Sequence, residues 1–346
     1  QSRKGRIRMK GYQFEDTQGT FHLKKAENIS YLYFPIAGEA GLKSSLTPNL
    51  GGDAKIDQNT FLLEPVSAEN LVNNRNSRNF WCNVKGIGSW SLTGNAAEAL
   101  SKKFTEMQDD SEVTAGFMWQ KTTRESKKYQ LRGEILSFIP VEKNVEVMLV
   151  TITNTGRMAQ TVTPTAAIPL YGRSADNIRD HRHVTSLLHR IETTDIGVLV
   201  TPTLSFDERG HQVNHMTYYC VGWSGNGEKP VDFYPTAEDF VGEGGNFERP
   251  YAIVKNAEGV KAGTRIEGLE AVGGLHFSEV TLEPEEECSY LIFTGITEDI
   301  QEIRNLSKTY TTREMVLEEL EKTKAYWQEK VNVAYHTGDS DFNQFM

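Results

Sequence analysis

Apolar and polar positions over most of the chain follow the pattern of short antiparallel strands separated by turns. Val145–Asn154 is rich in β-branched residues and runs into an Asn-Thr-Gly-Arg turn, after which the apolar run Gln160–Leu170 begins. Two such runs around a short glycine-containing loop predict an antiparallel hairpin. Pro164 and Pro169 predict that the second run is an edge or irregular strand, because proline cannot donate to a ladder.

Similar runs occur at residues 189–201, 215–223 and 280–294, and Gly, Asn, Asp or Pro clusters separate most of them. No regular alternation of strands with helices appears, which argues against a parallel α/β sheet. The pattern therefore predicts a mainly β fold, a large antiparallel β-sandwich that extends to about residue 295.

Helical periodicity begins near residue 297. Residues 297–310 are predicted to be helical, and Thr311 and Glu314 form a capping box for a second helix that reaches about Asn332. The apolar side chains of the second helix form one stripe that needs a surface to pack on: Leu317, Leu320, Trp327 and Val331.

Residues 336–346 predict a turn and the start of a further helix, capped by Asp339 or Ser340. The sequence stops within the first turns of that helix. We therefore expect the chain to be a fragment of a longer protein.

Charge and cysteine usage narrow the class of protein. A net charge of −10 argues against nucleic-acid binding, and no apolar run is long enough to span a membrane. The cysteines Cys82, Cys220 and Cys288 are far apart and form no CxxC pair, which argues against a disulfide framework or a structural zinc site. We expect each to be a small buried hydrophobic residue in a cytoplasmic protein.

The densest polar cluster lies at residues 171–183, directly after an apolar strand. His181 and His183 are spaced to place two imidazoles on one side of a strand, but no third ligand accompanies them, so no metal site is predicted. The cluster is either a salt-bridged loop or a loop that offers donors to sugar hydroxyls or phosphate. Its candidate substrate-binding residues are Arg179, Asp180, Arg182 and His183.

A second cluster, at residues 73–81, combines amides, guanidinium groups and aromatic rings. Proteins bind sugars with such groups, and the aromatic residues are equally suited to a sandwich core. The candidate substrate-binding residues of this cluster are Asn74, Arg75, Arg78 and Trp81. The sequence contains no nucleophile motif, so no catalytic residue is assigned.

Five stretches resemble the family of cellobiose phosphorylase and its relatives. The first contains Ser44-Ser-Leu-Thr-Pro-Asn-Leu-Gly-Gly-Asp53, and the stretches are residues 33–53, 58–67, 74–81, 90–94 and 179–189. The resemblance is strongest to 1,2-β-oligoglucan phosphorylases and to the C-terminal phosphorylase-like region of cyclic β-1,2-glucan synthases.

The resemblance implies an architecture. Residues 1–295 would be the N-terminal β-sandwich, or super-sandwich, residues 296–335 the helical linker, and residues 336–346 the start of an (α/α)6 barrel that is otherwise absent. In this family the barrel carries the general acid and most of the phosphate site. The catalytic residues are therefore expected beyond Met346.

The resemblance also implies an activity. It is the inverting phosphorolysis of β-1,2-glucooligosaccharides to α-glucose 1-phosphate, with inorganic phosphate as co-substrate and no metal or organic cofactor. The implied partners are a β-glucan oligosaccharide and a second copy in a homodimer, with no nucleic acid or membrane. The alternatives are a cellobiose- or cellodextrin-type phosphorylase, the phosphorylase-like region of a cyclic β-1,2-glucan synthase, and a non-catalytic carbohydrate-binding or scaffold module.

Overall fold

The structure, a computed structural model, describes residues 11–29, 32–67, 74–178, 182–208, 210–331 and 333–345. The strands within these ranges are β1 (Tyr12–Phe14), β2 (Phe21–Lys24), β3 (Phe34–Ala37), β4 (Lys43–Leu46), β5 (Ala54–Asp57), β6 (Thr60–Leu63), β7 (Asn79–Val84), β8 (Gly88–Ser91), β9 (Asp110–Gly116), β10 (Trp119–Ser126), β11 (Leu131–Phe138), β12 (Val145–Asn154), β13 (Gln160–Leu170), β14 (Arg190–Thr193), β15 (Gly197–Val200), β16 (Leu204–Asp207), β17 (Gly210–Val213), β18 (Thr217–Ser224), β19 (Asp232–Thr236), β20 (Arg265–Glu267), β21 (Ala271–His276), β22 (Val280–Leu282) and β23 (Glu287–Thr297).

Helices are short until the last fifth of the chain. The described α-helices are α1 (Ala97–Ser101), α2 (Arg182–Thr185), α3 (Ala237–Val241), α4 (Tyr251–Lys255), α5 (Ile300–Thr309), α6 (Arg313–Lys330) and α7 (Ser340–Phe345). Single turns of 3-10 helix occur at Ala26–Asn28, Ala175–Ile178 and Ser186–Leu188. None of the helices in the described ranges has the length and apolar character that a membrane span requires.

Two large sheets form the body of the molecule. Within the described residues, the first sheet has 11 strands in the order β1-β2-β9-β10-β11-β12-β23-β18-β15-β14-β20, and the second has the order β19-β21-β13-β7-β8, with β22 beside β13. A smaller sheet, β3-β4-β5-β6, adds to the same core. The strand pairs are antiparallel. The predicted mainly β, antiparallel sandwich is therefore confirmed.

The strand β12 carries apolar side chains on both of its faces. Its alternate side chains Met148, Val150 and Ile152 pack in the core between the sheets. The intervening side chains, Val147 and Leu149 among them, pack on the outer face of the first sheet under α5 and α6. Because successive side chains of a strand point to opposite faces, a strand covered on both sides carries apolar residues on both.

The predicted hairpin of β12 and β13 is wrong. β12 pairs with β11 and β23 in the first sheet, whereas β13 pairs with β7, β21 and β22 in the second. The turn between them carries the chain from one sheet to the other. Both strands are apolar enough to be buried, and neither pattern specifies which strand lies beside it.

The predicted edge position of β13 is also wrong, since β7 and β21 lie on either side of it. Each proline is placed where one neighbour is interrupted. The Pro164 carbonyl accepts from the Phe277 amide, in the gap between β21 and β22. Pro169, five residues further on, faces the opposite neighbour β7 beyond its last paired position, Asn79. No ladder donor is therefore lost at either proline.

The two predicted linker helices form, with one correction at a cap. α6 begins one residue later than the capping box predicts, because the Thr312 side chain, and not Thr311, accepts from the Met315 amide. At the last helix, the Asp339 carboxylate accepts from the amides of Asp341 and Phe342, as an N-cap does. The boundaries proposed at residues 295 and 335 stay predictions.

The three cysteines are free thiols within the sandwich. Cys82 on β7 and Cys220 on β18 are buried in the core between the sheets, and Cys288 packs against that core. Burial raises the pKa of Cys220 and of Cys288 to about 12, and it raises the pKa of Cys82 well above its ordinary value.

Candidate functional site

The two polar clusters predicted from the sequence meet at one end of the second sheet. β13 ends at Leu170 beside Ala271, the first residue of β21. Tyr171, which follows β13, and Glu270, which precedes β21, therefore lie side by side. The third element is the end of β6, because the Tyr171 amide donates to the Leu62 carbonyl at 2.8 Å.

A shallow pocket with a cavity volume of about 10 Å³, open to solvent, lies at this junction. It combines carboxylates, a guanidinium group and aromatic rings, which together offer donors, acceptors and flat apolar faces to a polyhydroxylated ligand. The residues that line it are Glu64, Arg75, Pro169, Leu170, Tyr171, Ala237, Phe247, Glu270 and Ala271.

Arg173 orders the polar side of this pocket. Its guanidinium group donates to both oxygens of Glu270, at 3.2 and 2.7 Å, and lies over the Tyr171 ring at 4.9 Å. A two-pronged pair of this kind fixes the orientation of a carboxylate as well as its charge. The Glu270 carboxylate is thus held at the pocket wall and keeps partial exposure.

His189 orients the guanidinium group of Arg173. The Arg173 Nε donates to the His189 Nε2 at 3.3 Å, so the proton of the neutral ring is on Nδ1, which donates to the Leu269 carbonyl at 3.2 Å. Burial and the positive charge of Arg173 lower the pKa of His189 to about 3. A protonated ring here would lose its bond to Arg173 and bring two cations together.

The state of His189 gives a prediction for pH dependence. The unfolded chain takes up a proton near pH 6.5, whereas the folded chain does so near pH 3. The free energy that neutral His189 contributes to the folded state is therefore fully present above about pH 6.5. It is lost as the pH falls below that value. We expect the free energy of unfolding of the wild type to fall between pH 7 and 5 more steeply than that of His189→Gln, by up to about 1.4 kcal/mol per pH unit.

Urea denaturation at a series of pH values measures this difference, with exposed His211 replaced by glutamine as the control. The control should keep the wild-type slope. Parallel curves for the wild type and His189→Gln would contradict a neutral, buried His189.

The predicted residues of the second cluster divide into two pairs. Arg75 lines the pocket, where its guanidinium lies over the Phe247 ring at 5.9 Å, and Asn74, the preceding residue, donates its amide to Glu248 at 2.7 Å. Arg78 and Trp81, by contrast, are 1% and 2% exposed. Both side chains contribute to the fold, and their predicted contact with substrate stays a prediction.

Arg78 is buried as part of an ion pair. Its Nε and Nη2 donate to the two oxygens of Glu146 at 2.6 and 3.0 Å, and its Nη1 donates to the Gly52 carbonyl at 2.7 Å. The Ser44 hydroxyl donates to Glu146 at 2.6 Å. Trp81 instead belongs to the apolar cluster beneath α3 and α4.

The predicted residues of the first cluster are described only in part. Arg179, Asp180 and His181 lie outside the described residues. Arg182 and His183 begin α2, but their side chains are also outside the description. Substrate contacts by this cluster, and the metal question at the two histidines, therefore stay predictions.

The sequence did not single out Glu64, Phe247 or Glu270, although all three line the pocket. Each is an ordinary residue next to a strand or turn, and no spacing relates it to the others. The nearest signal is positional: Glu64 directly follows β6, and Glu270 directly precedes β21.

The sequence stretches that carry the family resemblance also build a buried polar network. The Asn95 amide donates to the Asn49 carbonyl at 2.8 Å and to the Ser77 hydroxyl at 2.6 Å. The Ser91 hydroxyl donates to Asn79 at 2.7 Å. Residues 44–53, 74–81 and 90–94 thus hold one another in place, since buried polar groups need such partners.

Comparisons with solved structures find similar folds at low sequence identity. A bacterial glucoamylase complexed with acarbose is 9% identical, with a TM-score of 0.49, over 92% of this chain and 42% of that chain. A putative kojibiose phosphorylase from the human microbiome is 10% identical, with a TM-score of 0.43, over 90% of this chain and 38% of that chain. The chain thus spans less than half the length of either protein. No curated protein matches the sequence.

The family comparison is more specific. Residues 65–313, well over half of the chain, match the family described as "Glycosyl hydrolase 94, supersandwich domain". The match begins just after Glu64, runs through both large sheets and ends at the first residue of α6. The chain therefore belongs to the glycosyl hydrolase 94 family, whose supersandwich domain it carries at residues 65–313.

Proposed function

We propose that this chain is the N-terminal, substrate-shaping and dimerisation part of an inverting β-glucan phosphorylase. The observation that carries the proposal is the family match over residues 65–313. Its substrates would be β-1,2-glucooligosaccharides and inorganic phosphate, and its product α-glucose 1-phosphate. The choice of the β-1,2 linkage rests on the sequence stretches at residues 33–53 and 74–81.

In the proposed reaction a phosphate oxygen attacks the anomeric carbon of the terminal glucosyl unit. The glycosidic bond breaks as a carboxylic acid gives its proton to the leaving oxygen, so the β-linkage becomes an α-phosphate ester. We assign that acid to a part of the enzyme outside this chain. The reaction uses no metal or organic cofactor, and we place the enzyme in the cytoplasm.

The pocket at the end of the second sheet suits the substrate-shaping role. Glu270, whose carboxylate keeps partial exposure, is positioned to accept from sugar hydroxyls, while Arg75 is positioned to donate to them. The ring of Phe247 already carries the Arg75 guanidinium on one face and offers a flat surface at the pocket. Charge-assisted hydrogen bonds of this kind contribute about 1.5–3 kcal/mol each.

The test is a phosphorolysis assay on the enzyme that contains this chain, with β-1,2-linked glucooligosaccharides or cellobiose and with phosphate. We expect α-glucose 1-phosphate, formed faster from the β-1,2-linked substrate. In the same assay Arg75→Ala should lower kcat/KM at least about tenfold, which is about 1.4 kcal/mol. Exposed Arg265, replaced by alanine, is the control.

The outcomes separate the parts of the proposal. No product from any β-glucan would contradict a phosphorylase, and faster reaction of cellobiose would replace the β-1,2 linkage. A change below about 0.5 kcal/mol for Arg75→Ala, with activity intact, would make the pocket structural. Sedimentation of the enzyme tests the homodimer.

A further inference from the structure

A second polar cleft lies on the first sheet, away from the pocket at the end of β13. It forms beside β10, whose buried side chains are all polar: Gln120, Thr122, Arg124 and Ser126. An arginine on the buried face of a strand requires partners for its charge and its five N–H groups. Arg124 is only 8% exposed.

Arg124 has few partners of its own. Among the described residues its hydrogen bond is from Nη2 to the Thr93 carbonyl, at 3.3 Å, and no carboxylate lies within salt-bridge distance. Burial lowers the pKa of Arg124, and the negative charges of Asp109 and Glu27 oppose this. Arg78, equally buried, differs because it binds both oxygens of a carboxylate.

The nearby carboxylates are already engaged. Asp109 accepts from the Trp90 indole at 2.9 Å, and Glu27 accepts from the Ser111 amide and hydroxyl at 3.1 and 2.8 Å. They lie close enough to favour the charged guanidinium, but they leave most of its donors unused. Those donors lie at the wall of the cleft.

Gly94 keeps the space for the guanidinium group. Its φ is +78°, and a Cβ at this position would lie 2.6 Å from the Arg124 Cζ. Only glycine fits both the backbone conformation and the close approach. The position of the guanidinium at the cleft is therefore built into the turn after β8.

The cleft is shallow and open to solvent, with a cavity volume of about 40 Å³, so a bound ligand would lie across its mouth with only one edge inside. Arg124 and Lys103 supply positive charge. Glu27 and Asp109 supply negative charge, so the charges on the walls of the cleft are balanced. An anion would face two carboxylates, whereas a hydroxyl group both accepts and donates. Leu100 adds an exposed apolar surface at the rim.

We propose that this cleft binds a neutral saccharide, with two neighbouring hydroxyl groups accepting from Arg124 and a hydroxyl donating to Asp109. The planar guanidinium group matches two adjacent oxygens in the way it matches a carboxylate. The apolar C–H face of the sugar lies against Leu100. This site is additional to the proposed function and does not depend on it.

The test is a titration of the 346-residue chain with a β-1,2-linked glucose disaccharide and, separately, with inorganic phosphate. Calorimetry should give a Kd of about 1 mM or tighter for the disaccharide. The indole N–H signal of Trp90, whose proton is bonded to Asp109, should shift in NMR spectra as the disaccharide binds. Arg124→Lys keeps the charge but loses the planar fork, and it should weaken binding at least tenfold.

Arg265→Lys, at an exposed arginine on the edge strand β20, is the matched control and should bind as the wild type does. If Arg124→Lys does not fold, Asp109→Asn decides, because it keeps an oxygen for Trp90 and should weaken binding at least threefold. Three results would overturn the proposal: no disaccharide binding, preferential binding of phosphate, or disaccharide binding that both cleft variants leave unchanged.

Discussion

Replacing Glu146 with alanine is expected to lower the free energy of unfolding by about 3–5 kcal/mol, because it leaves the Arg78 guanidinium buried without a counter-charge. Arg78 and Glu146 are 1% and 3% exposed and share two hydrogen bonds. The same substitution removes the acceptor of the Ser44 hydroxyl. This single substitution therefore leaves a charge and a hydroxyl group in the core without their partner.

Urea denaturation of the chain measures the loss, and Glu192→Ala is the matched control. Glu192 pairs with Arg265 at 3.3 Å on the surface, where the two side chains are 47% and 78% exposed. Exposed pairs of this kind contribute at most about 1 kcal/mol. The double variant Arg78→Met with Glu146→Leu should be less unstable than Glu146→Ala, since it buries no charge. Equal losses for Glu146→Ala and Glu192→Ala would refute the argument.

Phe293→Ala is expected to cost about 3–5 kcal/mol as well, through the cavity that it leaves. Phe293 on β23 stacks between Trp223 at 4.9 Å and Tyr310 at 5.4 Å. The Trp223 indole donates to the Tyr310 carbonyl at 2.9 Å. This aromatic stack holds the helices α5 and α6 against the outer face of the first sheet.

The loss should appear in urea denaturation and as faster proteolysis within α5 and α6. Phe104→Ala is the control, because Phe104 is 74% exposed and its removal should change stability by less than about 0.5 kcal/mol. Unchanged proteolysis in Phe293→Ala would mean that other contacts hold the helices.

The sequence was sufficient for the fold class but not for the strand order. β12 and β13 were recognisable as strands because they are rich in β-branched residues, which are enriched in strands. Their partners were not recognisable, because an apolar face fits any other apolar face of similar size. After Asn154 the chain passes from the first sheet to the second, and the packing of the whole core decides this passage.

The candidate site was predictable where polar residues are close in sequence. Arg75 and Tyr171, one from each polar cluster, line the pocket. Arg78, in the same stretch, is buried by its ion pair with Glu146, and strand alternation places Trp81 in the apolar cluster beneath α3 and α4. Glu64 and Glu270 were not predictable, since only the packing of β6 against the chain after β13 brings them together.

The buried thiols described above have a practical consequence for following the molecule in solution. Alkylating reagents attack the thiolate, which the raised pKa of Cys82 and Cys220 almost abolishes at neutral pH in the closed state. Labelling therefore requires the strands to separate, and its rate reports local opening. Because Cys82 lies on β7 of one sheet and Cys220 on β18 of the other, the two labels time the opening of each half of the sandwich separately.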